Sequence, residues 1–235
     1  RPGRLSSPPR LPIALLRGHR DGVYAGLYRP DGQHILTVSR DHTARLWDRS
    51  GSEVAVLSGH EKGVQSACFS PDGRYILTCS SDHTARLWDR QGRSVSVLRG
   101  HEKAVQSGCF IRGGSGIATA SWDGSIRLWP GSGSCLMTLQ GHQGSLTGCA
   151  VRGDGQAVMT CAEDGTARLY RSSGELIAVL DGHSDVVTSA QFSKDGSTIL
   201  TTSRDHSASL WSGQGIRLRT LHGHRDWVIA GAFSA

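Results

Sequence analysis

The sequence predicts an all-β protein built from copies of one four-stranded unit, and three observations support this fold class. A Gly-His pair recurs six times at a constant spacing of 41 residues. Each period holds four short segments that are rich in strand-forming residues and separated by turn residues. No segment carries an apolar period of about 3.6 residues over the length that a helix needs. The pairs are Gly18-His19, Gly59-His60, Gly100-His101, Gly141-His142, Gly182-His183 and Gly223-His224.

The period that begins at Gly59 shows the elements in chain order. The first two predicted strands are joined by residues 70–73 (SPDG), in which proline presets φ and glycine accepts a positive φ. Residues 82–83 (DH) mark the turn into the third strand, and residues 91–92 (QG) mark the turn into the fourth. This series predicts an antiparallel meander. The four predicted strands are residues 64–69, 75–80, 84–89 and 94–98.

A lone four-stranded sheet would leave its apolar faces in water, and radial stacking of several sheets buries them. A fixed period of this size also indicates one supersecondary unit copied along the chain. The sequence therefore predicts a β-propeller of antiparallel blades, five of them complete. The predicted blades cover about residues 23–57, 64–98, 105–139, 146–180 and 187–221.

The two ends of the repeat array predict an incomplete ring. Residues 12–16 look like a fourth strand with no blade before it, and residues 228–233 look like a first strand with no blade after it. They would be the outer and inner strands of a blade whose middle pair is absent, so we expect them to stay unpaired. A seven-bladed ring would need roughly 60 more residues at this period. A closed five-bladed ring is the structural alternative.

The predicted domain organisation is a linker at residues 1–10, where Pro, Gly and Ser dominate, followed by the propeller at residues 11–235. The sequence begins with Arg1 rather than Met. We therefore expect it to be a piece of a longer or processed protein.

The repeated unit resembles the WD-repeat family over about residues 11–235. The resemblance rests on the Gly-His pair, a Pro-Asp-Gly turn, a Ser-x-Asp element and a Trp-Asp dipeptide, all in register. The dipeptide and its variants at the same step are Trp47-Asp48, Trp88-Asp89, Trp129-Pro130, Tyr170-Arg171 and Trp211-Ser212. The resemblance implies a non-enzymatic scaffold that binds a protein or peptide partner, usually within a larger regulatory or signalling protein.

The resemblance also implies a buried hydrogen-bond chain in each blade, from the Trp N–H through the Ser hydroxyl and the His imidazole to the Asp carboxylate. Each of these buried groups needs a partner, so a satisfied network fixes one geometry. A hydrolase triad is the competing interpretation, but an active site occurs once, whereas this set recurs in about five copies. The complete sets are His19, Ser39, Asp41 and Trp47; His60, Ser80, Asp82 and Trp88; His101, Ser121, Asp123 and Trp129; and His183, Ser203, Asp205 and Trp211.

The fourth copy departs from this pattern, because Ala162 replaces the Ser and Tyr170 replaces the Trp. The sequence therefore predicts that the bond chain cannot form there and that the fourth blade is the least stable. His42, His83 and His206 also recur at the period, directly after the turn Asp. A metal site would require several of them to converge, and residues on different blades are better interpreted as turn residues.

In the family that this chain resembles, the loop after Gly-His and the turn at Ser-x-Asp lie on one rim of the disc. The middle residue of Ser-x-Asp is free to vary, and Trp122 is its most unusual occupant, since Trp and Arg are enriched at binding hot spots. Partial burial of Trp122 against a neighbouring blade is the alternative. The partner-binding candidates are Arg40, Ser81, Trp122, Glu163 and Arg204 in the turns, with Arg20, Lys62, Lys103, Arg225 and Trp227 in the loops.

The net charge of +6 raises the question of nucleic-acid binding. Arg45, Arg86, Arg127 and Arg168 recur on the third strand, and a solvated repeat position explains them more simply than a phosphate track. No aromatic residues interleave with them, as single-strand binding would require. Binding of nucleic acid or of a phosphoprotein through these arginines is the alternative function, and its affinity would fall steeply with added salt.

The remaining composition supports an intracellular, cytoplasmic scaffold. The six cysteines are Cys68, Cys79, Cys109, Cys135, Cys149 and Cys161, and they show neither zinc spacing nor a disulfide framework. We expect them to be reduced, buried residues. No apolar run is long enough to span a membrane, and no constellation of polar residues occurs only once. The sequence therefore predicts no enzymatic activity, no cofactor, no small-molecule substrate and no membrane partner.

Overall fold

The computed structural model describes residues 14–131 and 133–234. In these residues the only helical segment is a three-residue 3-10 turn, Arg112–Gly114. None of the described helical structure has the length or the apolar character that crossing a bilayer requires. The linker predicted at residues 1–10 lies outside the described residues, as do the first two residues of the strand predicted at 12–16.

The described chain forms five four-stranded sheets, each antiparallel and each in chain order. The first blade contains β1 (Val23–Tyr28), β2 (His34–Ser39), β3 (Ala44–Asp48) and β4 (Glu53–Leu57). The second contains β5 (Val64–Phe69), β6 (Tyr75–Ser80), β7 (Ala85–Asp89) and β8 (Ser94–Leu98). The third contains β9 (Val105–Ile111), β10 (Gly116–Ser121), β11 (Ile126–Pro130) and β12 (Met137–Leu139). The fourth contains β13 (Leu146–Val151), β14 (Ala157–Ala162), β15 (Thr166–Arg171) and β16 (Leu176–Asp181). The fifth contains β17 (Val187–Phe192), β18 (Thr198–Ser203), β19 (Ala208–Ser212) and β20 (Arg217–Leu221). The predicted all-β fold with five complete blades is confirmed.

Every first strand begins with a β-bulge. In the second blade Val64 pairs with Ser80 and Ser66 pairs with Cys79, so Gln65 is the extra residue. The same irregularity occurs at the start of β1, β9, β13 and β17. A bulge bends its strand and increases the local twist. Each first strand is therefore bent next to the loop that carries the Gly-His pair.

The core lies between the blades, where the aromatic residue of the third strand in the second to fifth blades packs against the blade before it. Trp88 is 2% exposed and belongs to a buried cluster with Leu36 and Leu46 of the first blade. Burying roughly 200 Å² of such a side chain is worth about 5 kcal/mol before entropic costs. Trp129, Tyr170 and Trp211 occupy the same place against the second, third and fourth blades.

The first blade has no preceding neighbour among the described residues. The first strands pack in chain order, from β1 to β5, β9, β13 and β17. Val64 and Val105 are fully buried, whereas the equivalent Val23 is 53% exposed. Tyr28 on the same strand is 69% exposed. The five blades therefore leave one face of the first sheet open.

The two end segments lie where strands of adjacent blades would be, but neither is a strand in the described residues. Ala14 packs against Gly51, as Ala55 packs against Gly92 in the next repeat. At the other end, the amide of Val228 donates to the carbonyl of Ser203 at 3.0 Å. Within the described residues neither segment has a neighbouring strand with which to pair, so both ends are unpaired as predicted, although they do not form the strands that the sequence predicted.

Candidate functional site

The turns between second and third strands lie beside the loops that connect successive blades. An antiparallel meander places these two connections at the same edge of each sheet. A backbone hydrogen bond joins them, and in the third blade the amide of Trp122 donates to the carbonyl of Ala104 at 2.9 Å. We call this edge the upper rim. It contains residues 19–22 and 40–43, and their equivalents at 60–63 and 81–84, 101–104 and 122–125, 142–145 and 163–166, and 183–186 and 204–207.

A buried hydrogen-bond chain supports the upper rim. In the second blade, Trp88 Nε1 donates to Thr78 Oγ1 at 2.8 Å. The Thr78 hydroxyl lies 2.8 Å from His60 Nε2, and His60 Nδ1 lies 2.8 Å from a carboxylate oxygen of Asp82. A neutral imidazole protonated at Nδ1 satisfies every one of these groups, because Nε2 then accepts from the Thr hydroxyl.

The same chain recurs with nearly constant distances in three other blades. The Trp N–H to Thr hydroxyl distances are 2.8 to 2.9 Å, and the His to Asp distances are 2.8 to 2.9 Å. The residues are His19, Thr37, Asp41 and Trp47 in the first blade, His101, Thr119, Asp123 and Trp129 in the third, and His183, Thr201, Asp205 and Trp211 in the fifth.

The hydroxyl in this chain belongs to a Thr in the second strand, so the predicted role of Ser39, Ser80, Ser121 and Ser203 was wrong. Ser80 Oγ instead donates to the loop carbonyls of Lys62 and Gly63 at 3.0 Å, and it accepts the amide of Asp82 at 3.1 Å. The Ser thus joins the loop to the turn. The signal for the Thr was present in the sequence, because Thr37, Thr78, Thr119, Thr160 and Thr201 repeat at the same 41-residue step.

The Asp at the end of the chain also holds the loop and the turn together. Asp82 accepts the amide of Glu61 at 3.0 Å, the amide of Thr84 at 2.9 Å and the hydroxyl of Thr84 at 2.6 Å. Burial raises the pKa of this carboxyl, but the hydrogen bonds from His60, Thr84 and Glu61 outweigh burial and hold the pKa well below its usual range. The carboxylate therefore stays ionised as an acceptor.

The fourth blade retains most of this network, which corrects the prediction that its bond chain cannot form. His142 Nε2 lies 3.0 Å from Thr160 Oγ1, and His142 Nδ1 lies 2.9 Å from Asp164. Tyr170 is 4% exposed and fills the space of the Trp without an indole N–H. Ala162 removes only the Ser hydroxyl that joins loop and turn. Burial lowers the pKa of His142, with the Asp164 carboxylate opposing that shift.

The arginines of the third strands pack against the Gly of the Gly-His pair. A Cβ on Gly59 would lie 2.7 Å from Arg86 Nη1, and Gly59 has a φ of +144°. The Arg86 guanidinium also lies 5.9 Å from the centre of the Trp88 ring. These half-buried side chains are therefore packing elements rather than the solvated residues predicted. Arg45, Arg127 and Arg168 lie in the same way against Gly18, Gly100 and Gly141.

The fifth blade keeps this contact with a residue from a different strand. Ser209 stands where the other blades have Arg, and Arg217 of the fourth strand reaches the same place. Its Nη1 donates to the carbonyl of Gly182 at 3.2 Å. The sequence analysis missed this replacement, because only the packing shows that the two positions serve one Gly.

The predicted partner-binding residues lie along the upper rim and its extension into residues 225–227. Trp122 is 45% exposed and Trp227 is 55% exposed. The Arg204 guanidinium lies 4.5 Å from the centre of the Trp227 ring, which is a cation–π distance. Ser81 is half-buried and accepts a hydrogen bond from Gln65 Nε2 at 2.6 Å. The exposed candidates besides the tryptophans are Arg20, Arg40, Lys62, Lys103, Glu163, Arg204 and Arg225.

His42, His83 and His206 occupy left-handed turn positions, with φ values of 71°, 70° and 68°. The equivalent positions in the third and fourth blades are Gly124 and Gly165, with φ values of 80° and 79°. A non-glycine residue at such a position costs roughly 1–2 kcal/mol. The three His side chains stand on separate blades, as expected of turn residues.

The six cysteines are free. Five of them lie on first and second strands, and the Sγ atoms of Cys109 and Cys149 are 3.8 Å apart across the third and fourth blades. Burial holds the pKa of the Cys161 thiol well above its usual range, which keeps that thiol protonated.

Comparison with known protein families gives a match over nearly the whole chain. The family model described as "IFT122 first beta-propeller" matches residues 12–235. No curated protein matches the chain. The family match agrees with the WD-repeat propeller predicted from the Gly-His period and the Trp-Asp positions.

Proposed function

The chain belongs to the IFT122 first beta-propeller family, and from that premise we propose that it is a non-enzymatic platform whose upper rim binds a protein or peptide partner. A β-propeller is a scaffold-type fold. We infer the position of the partner, on the upper rim, from how the rim is built.

One observation carries the proposal: the rim backbone is fixed in every blade, while its exposed side chains differ from blade to blade. Backbone hydrogen bonds hold residues 40, 81, 122, 163 and 204 to the neighbouring loop at 2.9 to 3.0 Å. Their side chains are Arg, Ser, Trp, Glu and Arg. A rigid surface with variable side chains loses little conformational entropy on binding, which favours recognition.

Polar groups on the rim that could act in catalysis are already used by the fold. The His, Thr and Asp of each blade satisfy one another, and the same arrangement recurs in all five blades. A catalytic site would require a polar group in one blade that differs from the equivalent groups in the other four blades. We therefore propose an interaction function rather than a reaction, with no cofactor.

The setting that we propose is an intraflagellar transport protein, following the family that the chain matches. The chain would then work inside the cell as one module of a larger assembly. Free cysteines are compatible with a reducing compartment.

The alternative function is binding of nucleic acid or of a phosphoprotein through the arginines of the third strands. The packing of these arginines does not favour it. The guanidinium groups of Arg86, Arg127 and Arg168 lie against the glycines that follow the fourth strands. A phosphate would have to displace these contacts. The upper rim itself mixes acidic and basic residues, such as Glu61 with Lys62 and Glu102 with Lys103, which does not suit a polyanion.

A triple variant, Trp122→Ala with Arg40→Glu and Arg204→Glu, tests the proposal. We expect it to lose partner proteins that the wild type captures, measured by affinity capture and quantitative mass spectrometry. Thermal unfolding should change little, because exposed side chains contribute little to stability.

A matched control carries the same kinds of change at the opposite edge: Tyr75→Ala with Arg74→Glu and Arg90→Glu. Tyr75 is 39% exposed, and both arginines are exposed. The control should keep the captured proteins. The upper-rim proposal fails if both variants retain the same proteins or if both lose them equally.

A further inference from the structure

The edge opposite the upper rim contains a pocket lined by three arginines. We call it the lower-rim pocket, and its volume is about 370 Å³. Arg112 comes from the third blade, whereas Arg152 and Arg171 come from two turns of the fourth. Gln156, Ser172, Ser173, Ile177, Gly213 and Gln214 complete the lining.

Contacts with neighbouring residues orient the three guanidinium groups. Arg112 Nη2 donates to the carbonyl of Ser172 at 2.9 Å. Arg152 Nε lies 3.0 Å from the Asp154 carboxylate, and Arg171 Nε lies 2.9 Å from Glu175. Each guanidinium has five N–H donors, so donors remain on all three groups after these contacts.

A second pocket provides an internal comparison, because it occupies the equivalent edge between the first and second blades. It is also lined by three arginines, Arg29, Arg74 and Arg90, but Asp31 and Asp72 line it as well. No carboxylate lines the lower-rim pocket. Asp154 and Glu175 pair with Arg152 and Arg171 from outside the lining of the lower-rim pocket, whereas Asp31 and Asp72 lie inside the second pocket, where they would repel an anion. The lower-rim pocket therefore suits an anion better.

The sequence explains this difference through departures from the repeat. At the position of Asp31 and Asp72, the third blade has Gly113, and at the position of Pro71 it has Arg112. At the position of the Asp in the Trp-Asp dipeptide, the fourth blade has Arg171. These changes remove acidic groups and add basic groups around one pocket.

The backbone of Arg112 adopts an unfavourable conformation, and a hydrogen bond to the fourth blade holds it there. Arg112 has a φ of 51°, and a left-handed residue with a side chain costs roughly 1–2 kcal/mol. Its amide donates to the carbonyl of Gly155 at 2.9 Å, which joins the third blade to the fourth. Glycine would fit this φ without strain, so the position allows the charge to be removed without backbone cost.

We propose that the lower-rim pocket binds the phosphate group of a phosphorylated peptide. Arginine binds phosphate oxygens with charge-assisted, often bidentate hydrogen bonds. Ile177 and the side-chain amides of Gln156 and Gln214 supply the apolar and polar contacts that a peptide would use. Asp154 and Glu175 pair with Arg152 and Arg171, so the surface around the pocket has no large excess of basic groups with which to attract an anionic membrane. A peptide therefore fits better than a lipid headgroup.

The test uses two peptide libraries that differ only in a central serine, phosphorylated in one and unmodified in the other. Fluorescence anisotropy should show the phosphorylated library bound at least about tenfold more tightly, since one well-placed phosphate contact is worth about this factor. The double variant Arg112→Gly with Arg171→Gln should lose this preference. The matched control, Arg74→Gln with Arg90→Gln, should retain it.

Three results would overturn the proposal. The first is equal binding of the two libraries, and the second is an equal loss in the lower-rim variant and in the control. The third is a soluble inositol phosphate that binds the pocket as tightly as the phosphorylated peptides, which would indicate a headgroup or free phosphate instead. Circular dichroism and thermal unfolding establish that each variant is folded.

This proposal does not depend on the upper-rim function, because the two surfaces lie at opposite edges of the blades. The upper-rim triple variant should keep full phosphopeptide binding. The lower-rim double variant should keep the proteins that the upper rim captures. Each proposal can therefore fail alone.

Discussion

The second and fourth blades contain the same number of strands and the same His, Thr and Asp, yet their hydrogen-bond chains begin at different groups. In the second blade the Trp88 N–H is the first donor. In the fourth blade Tyr170 occupies that space, and the chain begins at the Thr160 hydroxyl. The second blade also has the Ser80 hydroxyl between loop and turn, whereas the fourth has Ala162.

The comparison separates two roles that the repeat usually combines. The Thr–His–Asp part positions the loop of the upper rim, and it survives in both blades. The aromatic residue fills the space between blades, and either Trp or Tyr can do so, since both are nearly fully buried. What the fourth blade has lost is two hydrogen-bonding groups, not the architecture.

The largest expected difference concerns the aromatic residue. Trp88→Ala should destabilise the protein by about 3–5 kcal/mol, because it creates a large cavity and leaves the Thr78 hydroxyl without its donor. Tyr170→Ala should cost clearly less, since a smaller ring is removed and no Trp N–H bond is lost. Denaturant unfolding of the two variants measures both values, and equal losses would contradict the distinction between the blades.

The next difference concerns the Thr hydroxyl. Thr78→Val leaves both Trp88 Nε1 and His60 Nε2 without a partner and should cost about 2–4 kcal/mol. Thr160→Val leaves only His142 Nε2 and should cost about 1–2 kcal/mol. Hydrogen exchange of the rim amides locates the effect, because exchange should increase in the mutated blade. A larger loss for Thr160→Val would refute the shorter chain in the fourth blade.

The smallest effect concerns the serine between loop and turn. Ser80→Ala should destabilise the protein by about 1 kcal/mol, because the amide of Asp82 loses its acceptor. Ala162→Ser should restore the missing bond and stabilise the fourth blade by up to about 1 kcal/mol. The midpoint of chemical unfolding should therefore shift in opposite directions for the two variants. Shifts of the same sign would mean that the Ser has no linking role.

Much of the fold could be predicted, because the evidence for it repeats along the chain. Six Gly-His pairs fix the period, and turn residues such as Pro71 and Gly73 fix the direction changes. The choice of Ser over Thr in the buried chain was wrong for a physical reason. Ser80 stands near the end of its strand beside conspicuous turn residues, whereas Thr78 looks like an ordinary strand former. Only the direction of its side chain, toward His60 and Trp88, distinguishes it.

The candidate site was less predictable than the fold, because it depends on contacts between repeats. The upper-rim residues were found from their variability within a regular pattern. The pairing of Arg204 with Trp227 could not be found in this way, since the two residues are far apart in the period. The lower-rim pocket was also missed, although the departures at Gly113 and Arg171 were visible. Their meaning appears only when the third and fourth blades are adjacent.

The sequence by itself determined the repeat, the four-stranded blades and the residues that break the pattern, because local turn chemistry and strand propensity are written in short segments. The tertiary structure alone decided which hydroxyl joins Trp to His and why Gly59 must lack a side chain. It also decided which charges share a pocket. These outcomes depend on distances between residues that are 10 to 60 positions apart. Such distances are set by how blades stack, and no local property of the chain encodes them.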